Sequence, residues 1–462
     1  MTALHALSAA EMSARFRARD LSPLEVLRAV LAQVERHEAQ VNALWDFNAE
    51  RALASARESE QRWQRAEPLS PLDGVPVTIK ENIATRGTPV PLGSAATALV
   101  PAADDAPPAA RLREAGCVLV AKTTMPDFGM LSSGLSSFHK LARNPWNLAL
   151  NPGGSSAGAG AAAAAGYGPL HLGTDIGGSV RIPAGWCGLV GLKPSLGRIP
   201  IKPPFAGRVA GPMTRSVTDA AMMMVPLSRP DWRDTMSLPA QDIPWLQLER
   251  EPRGLNLGLL LDGGWGQPPA AEVVATVQAA ARTFEAAGAE VTPIAPFSTR
   301  DMADGMDLFW RVRSFLDIQA LPLERRNKVL PFIRQWADGG ANASTAQLFH
   351  GYSQMAALRE AAVAACQPFD FLLSPVTPEP SFPAEWAGPS NDPARSLEHI
   401  AFTLPYNMSE QPAISVNAGY AANGVPIGLQ IIGRRHDDLG VLQMARLWEQ
   451  LRPPQRRWPL DD

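Results

Sequence analysis

The chain has 462 residues, of which 46% are hydrophobic, enough to bury a large core. Its 42 basic and 45 acidic residues leave a net charge of −3, so there is no basic field to favour a nucleic-acid partner. Three cysteines, odd in number and scattered, favour a reducing, cytoplasmic compartment: Cys117, Cys187 and Cys366. We find no signal-peptide pattern and no apolar run of about eighteen residues, so the sequence predicts no membrane partner.

The first seventy residues predict helices. Capping-box patterns occur at residues 8–11 and 22–25, the second with a proline at the first helical position. Beyond the second box, apolar side chains recur at helical spacing: Leu24, Leu27, Leu31 and Val34. We therefore expect an N-terminal helical segment over residues 1–70.

Residues 74–80 form an apolar run that ends in Lys80 and predicts a buried strand. Lysine is scarce here, with six lysines among the 42 basic residues. Burial lowers a lysine pKa from about 10.4, so Lys80 can supply a neutral amine near neutral pH, which arginine cannot do. The alternative is a strand cap in which Lys80 pairs with Glu81 or Asp73. A second buried strand is predicted at 116–122, and we interpret its Lys122 as structural.

Two glycine-rich loops carry serines. In residues 173–184, Ser179 follows two glycines, and Ser155 lies 24 residues upstream in a second loop, residues 151–156. Glycine lacks a Cβ, so its backbone N–H groups can approach a reacting carbonyl closely. Ser179 is therefore a candidate nucleophile beside its own oxyanion donors, and Lys80 is a candidate base.

Two further patterns in this region resemble motifs with other chemistry. Residues 154–158 match the G-x-S-x-G nucleophile elbow, which would select Ser156 and require a downstream acid and histidine. That elbow follows a strand, whereas Asn151-Pro152-Gly153 precedes it here. The alanine-rich residues 157–166 resemble a dinucleotide loop but predict a tightly packed buried helix. No histidine pair has metal-ligand spacing, so we expect neither cofactor nor metal.

The second half of the chain predicts more strands and helices of the same sheet. Residues 226–252, rich in proline and tryptophan, indicate a surface excursion. Strands are predicted at 255–261, 289–294, 371–376 and 413–416, with a helix at 270–287 between the first two, as in a βαβ unit. Aromatic side chains are more typical of a core than of a pocket, but any that line a pocket would favour an apolar or aryl acyl group. Residues 296–350 carry seven of them: Phe297, Phe309, Trp310, Phe315, Phe332, Trp336 and Phe349.

From about residue 20 to 450 the chain resembles the amidase signature family of serine amidases. The resemblance depends on a set of segments in a specific order: residues 72–82, 144–147, 153–156, 173–184, 187–195, 211–215, 411–416 and 424–430. It implies one large α/β domain with a mixed twisted central sheet flanked by helices on both faces. Within that domain we expect a signature core at 71–225 and a remainder at 226–462, which includes a variable, substrate-shaping region near 296–350.

The resemblance also assigns roles. Ser179 is the implied nucleophile, Ser155 the relay serine after a cis peptide bond at Gly154–Ser155, and Lys80 the base. The implied oxyanion donors are four backbone N–H groups, those of Ile176, Gly177, Gly178 and Ser179. Ser156 is expected in the hydrogen-bond network around Lys80, and Asp175 and Arg181 are expected to hold the loop. A homodimer is implied as well.

Three positions depart from the family pattern. Ala157 replaces the usual glycine after the two serines, and its methyl group would narrow the relay loop. Glu410 stands where glycine usually precedes the Gln-Pro-Ala segment, and we interpret it as solvated. Asn417 replaces a frequent proline.

The predicted function is hydrolysis of a carboxylic acid amide to the acid and ammonia or an amine. One alternative is a glutamine-hydrolysing subunit of an amidotransferase that passes ammonia to a partner; the segment around Glu410 is unlike what we expect of such a subunit. A second alternative, a catalytically silent binding protein, conflicts with the presence of Lys80, Ser155 and Ser179.

Overall fold

The computed structural model describes residues 3–460. Strands occur at β1 Leu44–Trp45, β2 Pro76–Lys80, β3 Val118–Thr123, β4 Leu170–Asp175, β5 Val190–Lys193, β6 Val209–Thr214, β7 Asn256–Leu259, β8 Glu290–Pro293, β9 Phe371–Pro375, β10 Ala413–Tyr420 and β11 Pro426–Gly433. In this part of the chain the eleven strands form one sheet in the order β1-β3-β2-β4-β6-β5-β10-β11-β9-β7-β8.

Helices alternate with these strands. They are α1 Ala9–Ala18, α2 Pro23–Val41, α3 Ala49–Gln64, α4 Pro107–Glu114, α5 Ala157–Ala164, α6 Arg181–Cys187, α7 Val217–Leu227, α8 Ala271–Ala286, α9 Arg300–Gln319, α10 Leu323–Arg326, α11 Pro331–Asp338, α12 Thr345–Cys366, α13 Leu404–Met408 and α14 Asp438–Leu451. Short 3₁₀ helices lie at Leu4–Ala6, Asp127–Gly129, Pro393–Arg395 and Glu398–Ile400.

The sheet is mixed. Strand β2 runs parallel to both β3 and β4, and β7 runs parallel to β8 and β9. Antiparallel pairs join these two parallel groups through β6, β5, β10 and β11. The predicted fold class, one α/β domain around a mixed sheet, is confirmed. The finer boundaries at residues 70 and 225 stay a prediction.

The N-terminal helices begin where their caps predict. Ser8 and Ser22 each accept a hydrogen bond from the backbone N–H three residues on, and the glutamates at those positions complete both capping boxes. The prediction that residues 1–70 are entirely helical was incomplete. Strand β1 lies within this segment and pairs antiparallel with β3 at the sheet edge. Two residues are too few for the alternation that identifies a strand.

The alanine-rich segment is the buried helix that its composition predicts. Every residue of α5 is buried. A Cβ added to Gly158 would lie 2.3 Å from the carbonyl oxygen of Ala43 and 2.4 Å from the nitrogen of Thr124. Only small residues allow backbone to approach this closely, so the helix packs directly against the backbone at Ala43, before β1, and at Thr124, after β3.

Between residues 3 and 460, no helix is both long enough and apolar enough to cross a membrane.

Candidate active site

Lys80 ends a strand that is buried along its whole length. Strand β2 lies between β3 and β4, and all five of its residues are buried. A strand with parallel neighbours on both sides and both faces covered needs mostly apolar side chains, which residues 75–79 supply except at Thr78, whose hydroxyl lies 2.8 Å from Nδ1 of the buried His171. The side chain of Lys80 is 0% exposed.

The Lys80 amine has hydroxyl partners. Its Nζ lies 2.8 Å from Ser155 Oγ, 3.0 Å from Ser156 Oγ and 2.9 Å from Thr174 Oγ1. Burial lowers the pKa of Lys80 to about 7, against the opposing charges of Asp175 and Glu81. The group is therefore poised to exchange a proton near neutral pH.

The strand-cap interpretation of Lys80 is wrong. Glu81 accepts from the backbone of Gly93 and pairs with His139 at 2.9 Å. Asp73 instead forms a salt bridge with Arg62. Each of the two candidate partners is thus occupied elsewhere, and the Lys80 amine is directed at the serines.

The loop before α5 supplies both serines. The Gly154–Ser155 peptide is cis, which confirms the expectation from the family. Ser156 Oγ donates to the Thr174 carbonyl at 3.1 Å and accepts from the Thr174 N–H at 3.2 Å. A Cβ at Gly173 would lie 2.7 Å from this hydroxyl, so glycine is needed there for the two loops to meet.

Ser179 lies in the loop between β4 and α6, next to the Ser155 loop. The Ser156 N–H donates to the Ser179 carbonyl at 3.2 Å, which fastens the two loops together. Ser155 and Ser179 are 4% and 8% exposed, and both line one cavity of about 550 Å³. The structure therefore brings Lys80, Ser155 and Ser179 to one place, although they are up to 99 residues apart in sequence.

The four predicted oxyanion donors are not equivalent. The Gly178 N–H donates to Asp175 Oδ1 at 2.8 Å. Within residues 3–460, the N–H groups of Ile176, Gly177 and Ser179 have no hydrogen-bond acceptor. Ile176 and Gly177 line the cavity with Ser179. An oxyanion hole stays a prediction, with these three amides as its available donors.

A buried ion pair holds the Ser179 loop. Arg181 contacts Asp175 through Nε at 3.0 Å and Nη2 at 2.9 Å, and both side chains are fully buried. Burial alone would raise the pKa of Asp175, but the charge and hydrogen bonds of Arg181 keep it well below its usual range. The same guanidinium donates to the Thr403 carbonyl, Gln430 Oε1 and Asn407 Oδ1.

Sequence reasoning missed several residues of the site. Thr174 is a direct partner of Lys80, and Asn82 donates to Thr174 Oγ1 at 3.1 Å. Thr174 lies inside the glycine-rich segment that carries Ser179, so its position in that segment could have predicted it as a site residue. Thr403 and Asn407 lie more than 220 residues from Arg181 and follow no local pattern.

Of the seven aromatic residues between 296 and 350, only Trp310 lines the cavity. The pocket interpretation is wrong for Trp336, which is 2% exposed in a hydrophobic cluster and donates its indole N–H to Asp307 at 2.9 Å. Most of these aromatic side chains therefore pack against other side chains and do not line the cavity, as is usual for aromatic residues.

The three departures from the family pattern do not disturb the site. Ala157 is buried at the start of α5, and Ser155 still reaches Lys80. Glu410 is not solvated as expected, because it forms salt bridges with Arg359 and Arg435, each at 2.5 Å, and its side chain is 18% exposed. Its φ of 64° is left-handed, which explains the family's preference for glycine there. Asn417 lies at an irregularity of β10 and accepts from Trp448.

Lys122 fits its structural interpretation. Its amine donates to the Ile83 carbonyl, whereas Ser155 and Ser156 are partners of Lys80. Burial lowers the pKa of Lys122 to about 7 as well. A lowered lysine pKa alone therefore does not distinguish a candidate base in this chain, and the hydroxyl contacts set Lys80 apart from Lys122.

Comparison with known proteins agrees with this geometry. The chain matches the Amidase family over residues 25–442. It is 34% identical to an acylamidase of Rhodococcus erythropolis, covering 99% of this chain and 98% of the relative. It is also 34% identical to a glutamyl-tRNA(Gln) amidotransferase subunit of Myxococcus xanthus, covering 96% of each. A solved bacterial aryl acylamidase of the amidase signature family superposes with a TM-score of 0.88, at 30% identity and 96% coverage of both chains.

A match of this extent, joined to two serines in one cavity and a buried lysine in contact with one of them, shows that the chain belongs to the amidase signature family and is an amide C–N hydrolase.

Proposed function

We propose that the protein is a stand-alone amidase that cleaves its substrate through an acyl-enzyme on Ser179. The observation that carries the proposal is the 2.8 Å contact between Lys80 Nζ and Ser155 Oγ, because Ser155 lines the same cavity as Ser179. A buried amine with a pKa of about 7 is neutral in a large fraction of molecules at neutral pH. Such an amine offers a lone pair to a hydroxyl proton.

The first half of the reaction forms the acyl-enzyme. Neutral Lys80 accepts the proton of Ser155, and Ser155 accepts the proton of Ser179 as the Ser179 oxygen attacks the amide carbon. The link from Ser179 to Ser155 closes when substrate is bound, since catalytic hydrogen bonds commonly tighten only in the complex. The carbonyl oxygen gains negative charge beside the amides of Ile176, Gly177 and Ser179, where each donor contributes about 3 kcal/mol.

The second half returns the proton and releases the acid. The protonated relay passes its proton to the leaving nitrogen as the C–N bond breaks, so that ammonia or a neutral amine departs. A water molecule then attacks the Ser179 ester, giving its proton to the relay, and the carboxylic acid leaves as the Ser179 hydroxyl is restored.

Two features support an amidase that works without a partner. The similarity to an acylamidase extends over 99% of the chain. The cavity wall is largely apolar, with Phe128, Met130, Trp310 and Ile400 among its side chains, which suits an acyl or aryl group.

The second candidate is a glutamine-hydrolysing subunit of an amidotransferase. The 34% identity to an amidotransferase subunit, over 96% of both chains, supports it. The two functions share the chemistry at Ser179 and differ in substrate and in the need for a partner.

The test is ammonia or amine release from a panel of aliphatic, aryl and malonamide-like amides and glutamine, with Ser179→Ala as the blank. Turnover of an acyl or aryl amide that disappears in Ser179→Ala supports the amidase, with Ser353→Ala on α12 as a matched control that keeps activity. Glutamine as the sole substrate would move the assignment to the amidotransferase subunit. Turnover that persists in Ser179→Ala would overturn both.

We also propose a cytoplasmic homodimer. The three free thiols of Cys117, Cys187 and Cys366 fit a reducing compartment, and burial raises the pKa of each. The dimer is supported by the family resemblance alone. Sedimentation of the purified protein tests the dimer, and a single species of about 50 kDa would contradict it, given a chain mass of 49.5 kDa.

A further inference from the structure

Positive charge is in excess in the catalytic cavity. Lys202, Arg208 and Arg313 line it, together with the two acids Asp175 and Asp317. Asp175 is already paired with Arg181. Asp317 lies 3.7 Å from Arg313 and is 58% exposed, so it neutralises that guanidinium only weakly.

Arg208 has no acidic partner. Its guanidinium donates to the Pro203 carbonyl, and between residues 3 and 460 no carboxylate lies within salt-bridge distance of Arg208 or Lys202. Burial, and then repulsion from Arg313, lower the pKa of Arg208 to about 10, against the opposing charge of Asp234, which lies beyond salt-bridge distance. A partly buried arginine without a counter-ion is a position where an anion from outside would be stabilised.

Arg313 is held in place for such a contact. Its guanidinium stacks over the ring of Phe205 at 4.1 Å from the centroid. On α9, Trp310, Arg313, Ser314 and Asp317 follow the i, i+3, i+4, i+7 spacing of one helix face, and all four line the cavity. One face of α9 thus presents both an apolar ring and a cation to the substrate.

Buried polar atoms of the same cavity are without partners. Trp310 Nε1 and His399 Nε2 are inaccessible to solvent and make no hydrogen bond within the described residues. The indole N–H can only donate. Because both atoms are closed off from solvent, a ligand in the cavity reaches them only if the Trp310 and His399 side chains move, so Arg208 and Arg313 are the polar groups that carry the inference.

We propose that the substrate is an amide that also carries a carboxylate, bound by Arg208 and Arg313 while its apolar part rests on Trp310. The assignment rests on the proposed amidase function, because it concerns the same cavity. The carboxylate belongs either to the acyl part or to the leaving amine, and these are separate arms of the test.

The test uses substrate pairs that differ in one para substituent, a carboxylate in one member and a methyl group in the other. In the acyl arm, para-carboxybenzamide is compared with para-methylbenzamide; in the amine arm, para-carboxyacetanilide is compared with para-methylacetanilide. In at least one arm the carboxylate member is expected to have the higher kcat/KM, by about tenfold or more through KM, which is the size of a charge-assisted contact. That preference should decline as salt is added.

Variants assign the preference to residues. Arg208→Gln and Arg313→Gln are each expected to reduce the carboxylate preference at least several-fold. Arg300→Gln serves as the matched control, since Arg300 lies on the same helix, pairs with Asp304 and does not line the cavity. Melting curves establish that each variant is folded. If one of the two arginine variants does not fold, the other still tests the proposal.

Binding separates this proposal from the amidase proposal. Calorimetry with Ser179→Ala measures the affinity for both members of each pair, whether or not the wild type turns them over. Tighter binding of a carboxylate member that is lost in Arg208→Gln/Ser179→Ala sustains the inference even if no amide is hydrolysed. Equal or tighter binding of the methyl member in both arms overturns it, even if hydrolysis by Ser179 is established.

Discussion

Lys80, Lys122 and Lys193 are fully buried, and burial lowers the pKa of each to about 7. Their contacts differ in kind. Lys80 reaches three hydroxyls, whereas Lys122 and Lys193 donate to the backbone carbonyls of Ile83 and Pro194. A hydroxyl can give a proton to the amine and a carbonyl cannot, so of these three lysines Lys80 is the one whose contacts suit the proposed base.

We expect kcat/KM to rise with pH through about 7 and then level. The base must be neutral, and below the pKa of Lys80 the rate should decline about tenfold per pH unit. Lys80→Arg should be folded and inactive at all accessible pH values, because a guanidinium stays charged below about pH 12. A pH–rate profile of the wild type checks this, and a flat profile between pH 5 and 9, roughly, would contradict a lysine base.

A second residue-scale prediction concerns stability. Between about pH 7 and 10.4 an unfolded lysine binds a proton that folded Lys122 does not, so this group makes stability rise with pH. The free energy of unfolding of wild type minus that of Lys122→Met should therefore increase by about 1.4 kcal/mol per pH unit between about pH 7.5 and 8.5. Urea unfolding measures it. Lys328→Met, at an exposed lysine, is the control, and parallel profiles for wild type and Lys122→Met would refute the argument.

Residues of the site differ in how far the sequence could predict them. Lys80, Ser155 and Ser179 lie in segments whose glycines and apolar runs restrict the backbone, so local pattern and family resemblance both apply. Arg208, Arg313 and Trp310 lie outside the quoted motifs, and Trp310 reaches the Ser179 loop only because α9 packs beside Gly177. Contacts between elements so distant in sequence have no local signal.

At the scale of elements, α9 and α12 pack unusually closely. A Cβ on Gly351 of α12 would lie 2.5 Å from the Gly305 carbonyl of α9, and one on Gly305 would lie 2.6 Å from Gln354. Backbone atoms cannot avoid such a contact by changing rotamer, as side chains can. These two glycines therefore set the position of the helix that presents Trp310 and Arg313 to the cavity.

Gly351→Ala should displace α9, raising KM for the preferred substrate more than it changes kcat. Overpacking costs about 1–3 kcal/mol, against roughly 1 kcal/mol gained in helix propensity, so we expect a net loss of stability. Steady-state kinetics and thermal melting measure both effects. Gly388→Ala is the matched control, since a Cβ there meets nothing within 4 Å. Unchanged KM and melting temperature in Gly351→Ala would show that the helices do not need this contact.

The Asp175–Arg181 pair joins the Ser179 loop to α13 and β11 through Asn407 and Gln430. Arg181→Met leaves a buried carboxylate without its partner, and we expect a loss of about 3–5 kcal/mol. Activity should be lost as well, because Asp175 orients the loop through the Gly178 N–H. Asp175→Asn/Arg181→Met should recover part of the stability, as measured by urea unfolding. Equal losses in the single and double variants would argue against a buried-charge effect.

At the scale of the whole molecule, the sheet interleaves distant parts of the chain. Strand β5, from the segment that carries the site, pairs with β6 on one side and with β10, more than 200 residues later, on the other. Arg181 likewise draws three of its partners from residues 403–430. The catalytic half therefore lacks a complete core of its own.

We expect a fragment of residues 1–225 to be unfolded or aggregated when expressed alone. It would expose the apolar edge of β5 and leave Asp175 and Arg181 without their distant partners. Co-expression with residues 226–462 should restore soluble protein and amidase activity. Circular dichroism and activity measure the outcome, and a fragment that melts cooperatively alone would make the predicted core an independent domain.

The sequence predicted β2, β3, β7, β8, β9 and β10 as strands and did not predict β1, β4, β5, β6 or β11. The apolar runs at 74–80, 371–376 and 413–416 could be identified individually, because both faces of these strands are largely covered. Strand order depends on pairings between segments far apart in the chain, for which the sequence pattern alone carries no register. The family resemblance supplied the mixed sheet, and no single residue indicated that β5 lies between β6 and β10.

The scarcity of lysine has a practical consequence. With three of the six amines inside the protein, the exposed ones in the described part of the chain are those of Lys140, Lys202 and Lys328. Lys202 lies at the wall of the catalytic cavity. Fluorophores, crosslinkers and resins that react with amines will therefore attach at few positions, one of which obstructs substrate entry. Lys202→Arg would keep the charge, remove that amine and direct coupling to Lys140 and Lys328.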